Sequence, residues 1–141
     1  MAHLGGAKPT RDAPDLIAVT PNGDVAVIEC TMGLLKAENK LPRVIARAET
    51  IRTRIRASGN SHLRVLPVMV TSMTREEIKA DVEQAEKLAV GILAREDLLD
   101  ALNRTLLLPN AQTIYEEATR NVHEAQAKHD AKSTASNTAF Q

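Results

Sequence analysis

Between Leu16 and Ile28 the apolar positions fall into two short runs, Leu16 to Thr20 and Val25 to Ile28. Both are rich in β-branched and small residues, and Pro21-Asn22-Gly23 separates them. Two such runs around a strong turn signal predict a β-hairpin. Loop length then decides its register. A two-residue Asn22-Gly23 loop would set Pro21 opposite Asp24 and Asp15 opposite Cys30, which puts Asp15 and Glu29 on opposite faces. Pro-Asn-Gly better suits a three-residue loop, with Pro21 and Asn22 in a type I turn and Gly23 in the left-handed position of a bulge. Thr20 then pairs with Asp24, Val19 with Val25, Ile17 with Val27, and Asp15 with Glu29.

After the hairpin the apolar spacing changes from strand to helix. Leu41, Val44, Ile45, Ala48, Ile51 and Ile55 make one buried stripe, which predicts a helix from about Glu38 or Asn39 to Ala57. Pro42 is tolerated in its first turn, and Ser58-Gly59-Asn60 ends it. Leu63 to Val70 is continuously apolar and predicts a strand buried on both faces, although Pro67 argues for an edge or an irregular point there. Thr71 and Ser72 close that strand, either lining a site or leading the loop to the next helix. Thr74 with Glu77 is a capping box opening a helix to about Leu88, with Ile78, Val82, Ala85 and Leu88 inward. Ala89 to Ala94 predicts a short fourth strand, and Asp97 caps a helix to about Leu107.

Ile114, Ala118, Val122 and Ala125 give a thin stripe on a last helix. The polar, small residues after about Lys128 predict disorder. Strands alternating with helices after a hairpin imply an α/β fold, a mixed sheet of about four strands (the hairpin plus parallel additions) flanked by helices. The chain divides into an irregular arm (1–13), the α/β core (14–108), a C-terminal helix (109–128) and a disordered tail (129–141).

At 141 residues, with 43% hydrophobic and 26% charged, one domain with a sizeable core is expected. No stretch approaches a membrane helix, and the N-terminus lacks the regions of a signal peptide. A lone cysteine agrees with a reducing compartment, so a cytoplasmic protein is expected. Cys30 alternates to the face opposite Glu29 and reads as a buried structural thiol.

Charge changes the picture more than composition does. The chain is neutral overall, yet Lys36 to Arg56 holds seven Lys or Arg against two Glu, a net +5 that leaves −5 for the rest. Lys40, Arg43, Arg47 and Arg54 lie along one helix face. That asymmetry suits a polyphosphate partner, and the ordinary alternative is a solvated helix face. Tyr115 and Phe140 are the only aromatic residues besides histidine, so no base-stacking platform is available. Nucleic acid would be held by phosphate, salt-dependently and with little sequence preference.

Directly opposed residues in an antiparallel pair have Cβ atoms about 5 Å apart, and like charges there repel. A cation between Asp15 and Glu29 relieves this. A divalent metal is the simplest, because two carboxylates and a backbone carbonyl are the oxygen ligands Mg²⁺ prefers. At this point Pro14-Asp15 and Glu29-Cys30-Thr31 resemble the PD-(D/E)XK superfamily, the restriction-endonuclease-like nucleases. The resemblance covers about Pro14 to Leu108, by order of elements more than by residue identity.

It implies a restriction-endonuclease-like core in which Asp15, Glu29 and the Cys30 backbone carbonyl hold Mg²⁺ (or Mn²⁺) and the chain hydrolyses DNA, with RNA left open. Thr31 stands where the motif has its lysine, so Lys40, or failing it Lys36, takes that role from the following helix. Arg43, Arg47 and Arg54 hold backbone phosphates. The family also implies a helix and a strand before the Asp-bearing strand, and the residues ahead of Asp15 supply neither. A truncated copy, a fragment, or half of an assembly completed by a second copy or a partner subunit follows. Two other readings stand beside this: a nuclease-fold module that binds DNA or a protein without cutting, and a plain α/β domain whose Asp15 and Glu29 are ordinary strand-end acids.

Overall fold

The computed structural model describes residues 13–35, 39–107 and 110–138. Its hairpin, β1 (Leu16–Val19) and β2 (Val25–Thr31), forms in the three-residue register, with Leu16 opposite Ile28 and Val19 opposite Val25. The Thr20 N–H donates to the Asp24 carbonyl at 2.9 Å, and Gly23 sits at φ 88°. A side chain at Gly23 would meet that backbone strain and also press on Leu63 Cδ2 at 3.0 Å.

From β2 the chain crosses through α1 (Lys40–Ala57) to β3 (Val65–Thr71), which pairs parallel to β2. It then passes through α2 (Lys79–Lys87) to β4 (Gly91–Leu93), parallel to β3, and finishes in α3 (Arg95–Leu107) and α4 (Ala111–Thr138). The result is an α/β fold on a four-stranded mixed sheet in the order β1-β2-β3-β4. One face, with Val25, Val27 and Met69, packs against Leu41, Val44 and Ala48 of α1. The other face, with Leu66 and Val68, packs against Tyr115 and Val122 of α4. Among the described residues no helix is long and apolar enough to cross a membrane.

Of the two places expected for Pro67, an edge or an irregular point, it takes the second, since β3 lies between β2 and β4. The ring is accommodated because β4 begins its ladder only at Val68, so beside Pro67 that side of the strand is unpaired among the described residues. The predicted capping box forms: the Thr74 N–H donates to Glu77 Oε2 at 2.7 Å, and the Glu77 N–H donates to Thr74 Oγ1 at 3.3 Å. A turn intervenes before regular helix starts at Lys79. Asp97 is inside the first turn of α3 rather than ahead of it, accepting from the Ala94 N–H at 2.8 Å.

One further difference has a physical cause. Helix α4 runs on to Thr138, past Lys128 where the composition predicts disorder. One residue beyond Lys128, His129 contacts Glu86 of α2 at 3.1 Å, so the helix still has a tertiary partner there. At the opposite side of the sheet, every residue of β1 is exposed, with Leu16 at 55%, Ile17 at 47% and Val19 at 64%. Neither helical layer reaches over that edge strand.

Candidate functional site

One step beyond the last ladder pair, Leu16 with Ile28, the register sets Asp15 opposite Glu29. The Asp15 carboxylate accepts a hydrogen bond from the Cys30 N–H at 2.8 Å, and Lys40 Nζ donates to the Cys30 carbonyl at 2.5 Å. The N–H and C=O of a strand residue point to the same neighbouring strand. Asp15 and Lys40 therefore meet at one edge of β2, joined through a single residue. Lys36, the other expected lysine, lies outside the described residues.

Glu29 continues the inward row of Val25 and Val27 and is 1% exposed. A carboxylate there requires a partner, since a buried unpaired charge is strongly unfavourable. Arg47, two turns after Lys40 on α1, donates to Glu29 Oε1. Arg47, expected to hold phosphate, here turns its guanidinium inward to the acid. Arg43 is exposed one turn earlier. Arg54 is also exposed but lies fourteen residues after Lys40, about 21 Å along the helix axis. Asp15, Glu29, Cys30, Lys40 and Arg47 are thus brought together, and Arg54 is not.

The Cys30 thiol is exposed, not buried as its alternation suggested. On that face α4 packs over Leu66 and Val68 of β3 and leaves the end of β2 uncovered.

The loop leaving β2 is held from beneath. The Leu35 N–H donates to Asp81 Oδ2 at 3.1 Å, Thr71 Oγ1 donates to the Gly33 carbonyl at 3.1 Å, and Ser72 Oγ donates to the Met32 carbonyl at 3.3 Å. Both Asp81 and Thr71 are buried. Asp81 has a visible signal in the sequence: it sits three residues after Ile78 and four before Ala85, on the inward stripe of its helix. An acid in that stripe needs a polar partner.

A second polar cluster ties the far end of the sheet. Arg64 donates to Asp24 and to Glu116, each at 2.5 Å, while Gln112 donates to both of these carboxylates. The guanidinium of Arg64 also lies 5.2 Å from the centroid of the Tyr115 ring. Its hydrogen bond holds the buried Asp24 carboxyl below the usual carboxylate range, and burial pushes the Tyr115 phenol up to about 12. This clamp joins the hairpin turn, the start of β3 and α4, so it is structural.

At the end of β2 the oxygen donors are two carboxylates and one carbonyl, which suit a hard divalent cation in kind. Among the described residues no group of three or more His, Cys, Asp or Glu side chains is placed to hold a metal. Among the described residues, Lys40 and Arg47 are cations that donate to these oxygens. Compared with protein-family models, curated proteins and solved structures, the chain matches none of them.

Proposed function

We propose that this chain is a cytoplasmic, metal-dependent nuclease of the PD-(D/E)XK kind that hydrolyses DNA phosphodiester bonds. The observation that supports it best is the meeting of Asp15 and Lys40 on Cys30, with Glu29 in register opposite Asp15. Asp15, Glu29 and the Cys30 carbonyl would hold Mg²⁺ or Mn²⁺. When bound, such an ion lowers the pKa of a coordinated water and neutralises charge on the phosphate.

Everything else comes from the chain. The Lys40 ammonium, anchored on the Cys30 carbonyl, brings a positive charge and N–H donors toward phosphate oxygens as they gain charge. Arg43, exposed one turn on, binds a flanking backbone phosphate. Arg47 holds the Glu29 carboxylate in one orientation from inside the protein. The expected result is nicking of supercoiled plasmid in Mg²⁺ or Mn²⁺, abolished by Asp15→Asn and by Glu29→Gln. Equal residual cutting by both variants overturns the assignment.

A second reading is a nuclease-fold subunit that binds but does not cut. It is favoured by Arg47 on Glu29 and by Thr31 in the place of the lysine. The uncovered apolar strand β1 is where a second copy or partner subunit would complete the sheet. Calorimetric titration with Mn²⁺ separates the two readings. Stoichiometric uptake lost in Glu29→Gln supports cutting, and DNA binding without uptake supports the subunit.

A further inference from the structure

We infer that a groove at the far end of α1, away from the Asp15 and Glu29 site, binds a phosphate group. The groove lies between the last turns of α1, the entry to β3 and α4, and encloses about 300 Å³. Arg52, Arg56, Arg64 and His123 line it together with the hydroxyl-bearing Ser61 and Thr119, over a floor that includes Tyr115. Among the described residues no carboxylate lines it. Its size is at the lower end for small-ligand sites, and its polar groups are all cationic or neutral donors.

The charges of these groups are not equally available. Arg64 is compensated by Asp24 and Glu116. Arg52 pairs with Glu49 and donates to the Val65 carbonyl at 2.9 Å. The Arg56 and His123 side chains make no hydrogen bond or ion pair with the described residues, and both are exposed. An uncompensated guanidinium that lines one groove with an imidazole and with Arg52 is suited to phosphate, which a guanidinium binds through two parallel N–H groups. Val65 opposes Val25, four residues before Glu29, so the groove is about 13 Å along the strand from the first site. It stands independently of the nuclease reading.

The phosphate can come from a nucleic-acid backbone or from a free anion, and two measurements on the full chain in the absence of divalent metal distinguish them. Fluorescence anisotropy with a short DNA duplex reads the first, and calorimetry with inorganic phosphate reads the second. Arg56→Ala and His123→Ala are each expected to weaken the bound ligand about fivefold. With DNA, Arg56→Ala also lowers the slope of log affinity against log salt by about 0.9. Arg120→Ala, an exposed arginine of α4 outside the groove, leaves both unchanged.

Phosphate uptake lost in Arg56→Ala assigns a free anion, and an effect on DNA alone assigns the backbone. The inference is overturned if wild type binds neither, or if both groove variants bind as wild type does. Nicking is not the readout, so its absence leaves this result standing, and an inert groove leaves the Asp15 site standing.

Discussion

Arg47 of α1 donates to the carboxylate of Glu29 on β2, and the two side chains are only 10% and 2% exposed. Removing one partner of a buried pair strands the other charge in the interior, at about 3–5 kcal/mol. Arg47→Ala is therefore expected to lower the unfolding free energy by about that amount in a urea titration. The double replacement Arg47→Met with Glu29→Leu recovers much of it, because two apolar groups need no compensation. If Glu29 also takes a divalent ion, Mn²⁺ raises the Tm of Arg47→Ala by more than it raises that of wild type. Equal shifts mark the pair as a structural one alone.

Among the described residues Lys40 is the lysine whose amine reaches the Cys30 carbonyl, at 2.5 Å. Under the nuclease reading, Lys40→Met lowers the plasmid-cutting rate by about 10²–10³, the usual loss for a group that stabilises developing charge. Lys36→Met cuts within a few-fold of wild type. Single-turnover cleavage of a labelled duplex makes the comparison, and a larger loss at Lys36 reverses the assignment.

Local signals carried most of this architecture. Pro21-Asn22-Gly23 specified a loop length, and that length set which acids face each other, so the Asp15 and Glu29 register was legible without coordinates. The stripe from Leu41 to Ile55 likewise gave α1 nearly its full extent. What escaped depends on layers the sequence does not display. Whether Cys30 is covered is decided by where α4 crosses the sheet, a long-range matter that alternation along one strand cannot resolve. Arg47 looked like the other arginines on its helix face, and only the crossover geometry turns it toward Glu29. Tyr115, the buried anchor of α4, fell between the alanines and isoleucine of the expected stripe, and its partner Arg64 lies 51 residues earlier.

Opposed residues on β1 and β2 should respond very differently to substitution. Ile17 faces Val27 across the ladder, yet Ile17 is 47% exposed and Val27 is 0% exposed. Ile17→Thr is expected to change stability by no more than about 0.5 kcal/mol. Met69→Ala, which empties the fully buried centre beneath α1, costs about 2–5 kcal/mol. Chemical denaturation of the isolated chain measures both. A large loss at Ile17 would mean that β1 is covered in solution.

Asp24 makes the protein acid-sensitive in a definable window. The hydrogen bond from Arg64 holds its carboxyl below the ordinary value of 3.8, so the folded state binds that proton less readily than the unfolded chain. The resulting stabilisation is fully present above pH 3.8 and is lost as pH falls through the lower, folded value. Asp24→Asn should cost about 1–3 kcal/mol at neutral pH, and its stability should fall less steeply with acid. The two curves then converge at low pH. Urea midpoints across the acid range test this, and a constant gap down to the lowest pH contradicts it.

Tyr115 sets the opposite limit. Its phenol is pushed up from 10.0 to about 12, first by burial and then by the negative charge of Asp24. Between those values the unfolded chain has lost the phenolic proton while the folded chain still carries it. The folded state then binds more protons, so stability falls as pH rises across the window, by about 2–3 kcal/mol in all. Tyr115→Phe removes the titrating group but keeps a ring beneath the Arg64 guanidinium, which retains the cation–π contact. The phenol makes no hydrogen bond with the described residues, so the substitution is expected to be nearly neutral at pH 7. Above pH 10 the variant should become progressively more stable than wild type. Thermal unfolding in a series of alkaline buffers reads this directly, and parallel curves for the two proteins would show that the ring is not held in an apolar setting.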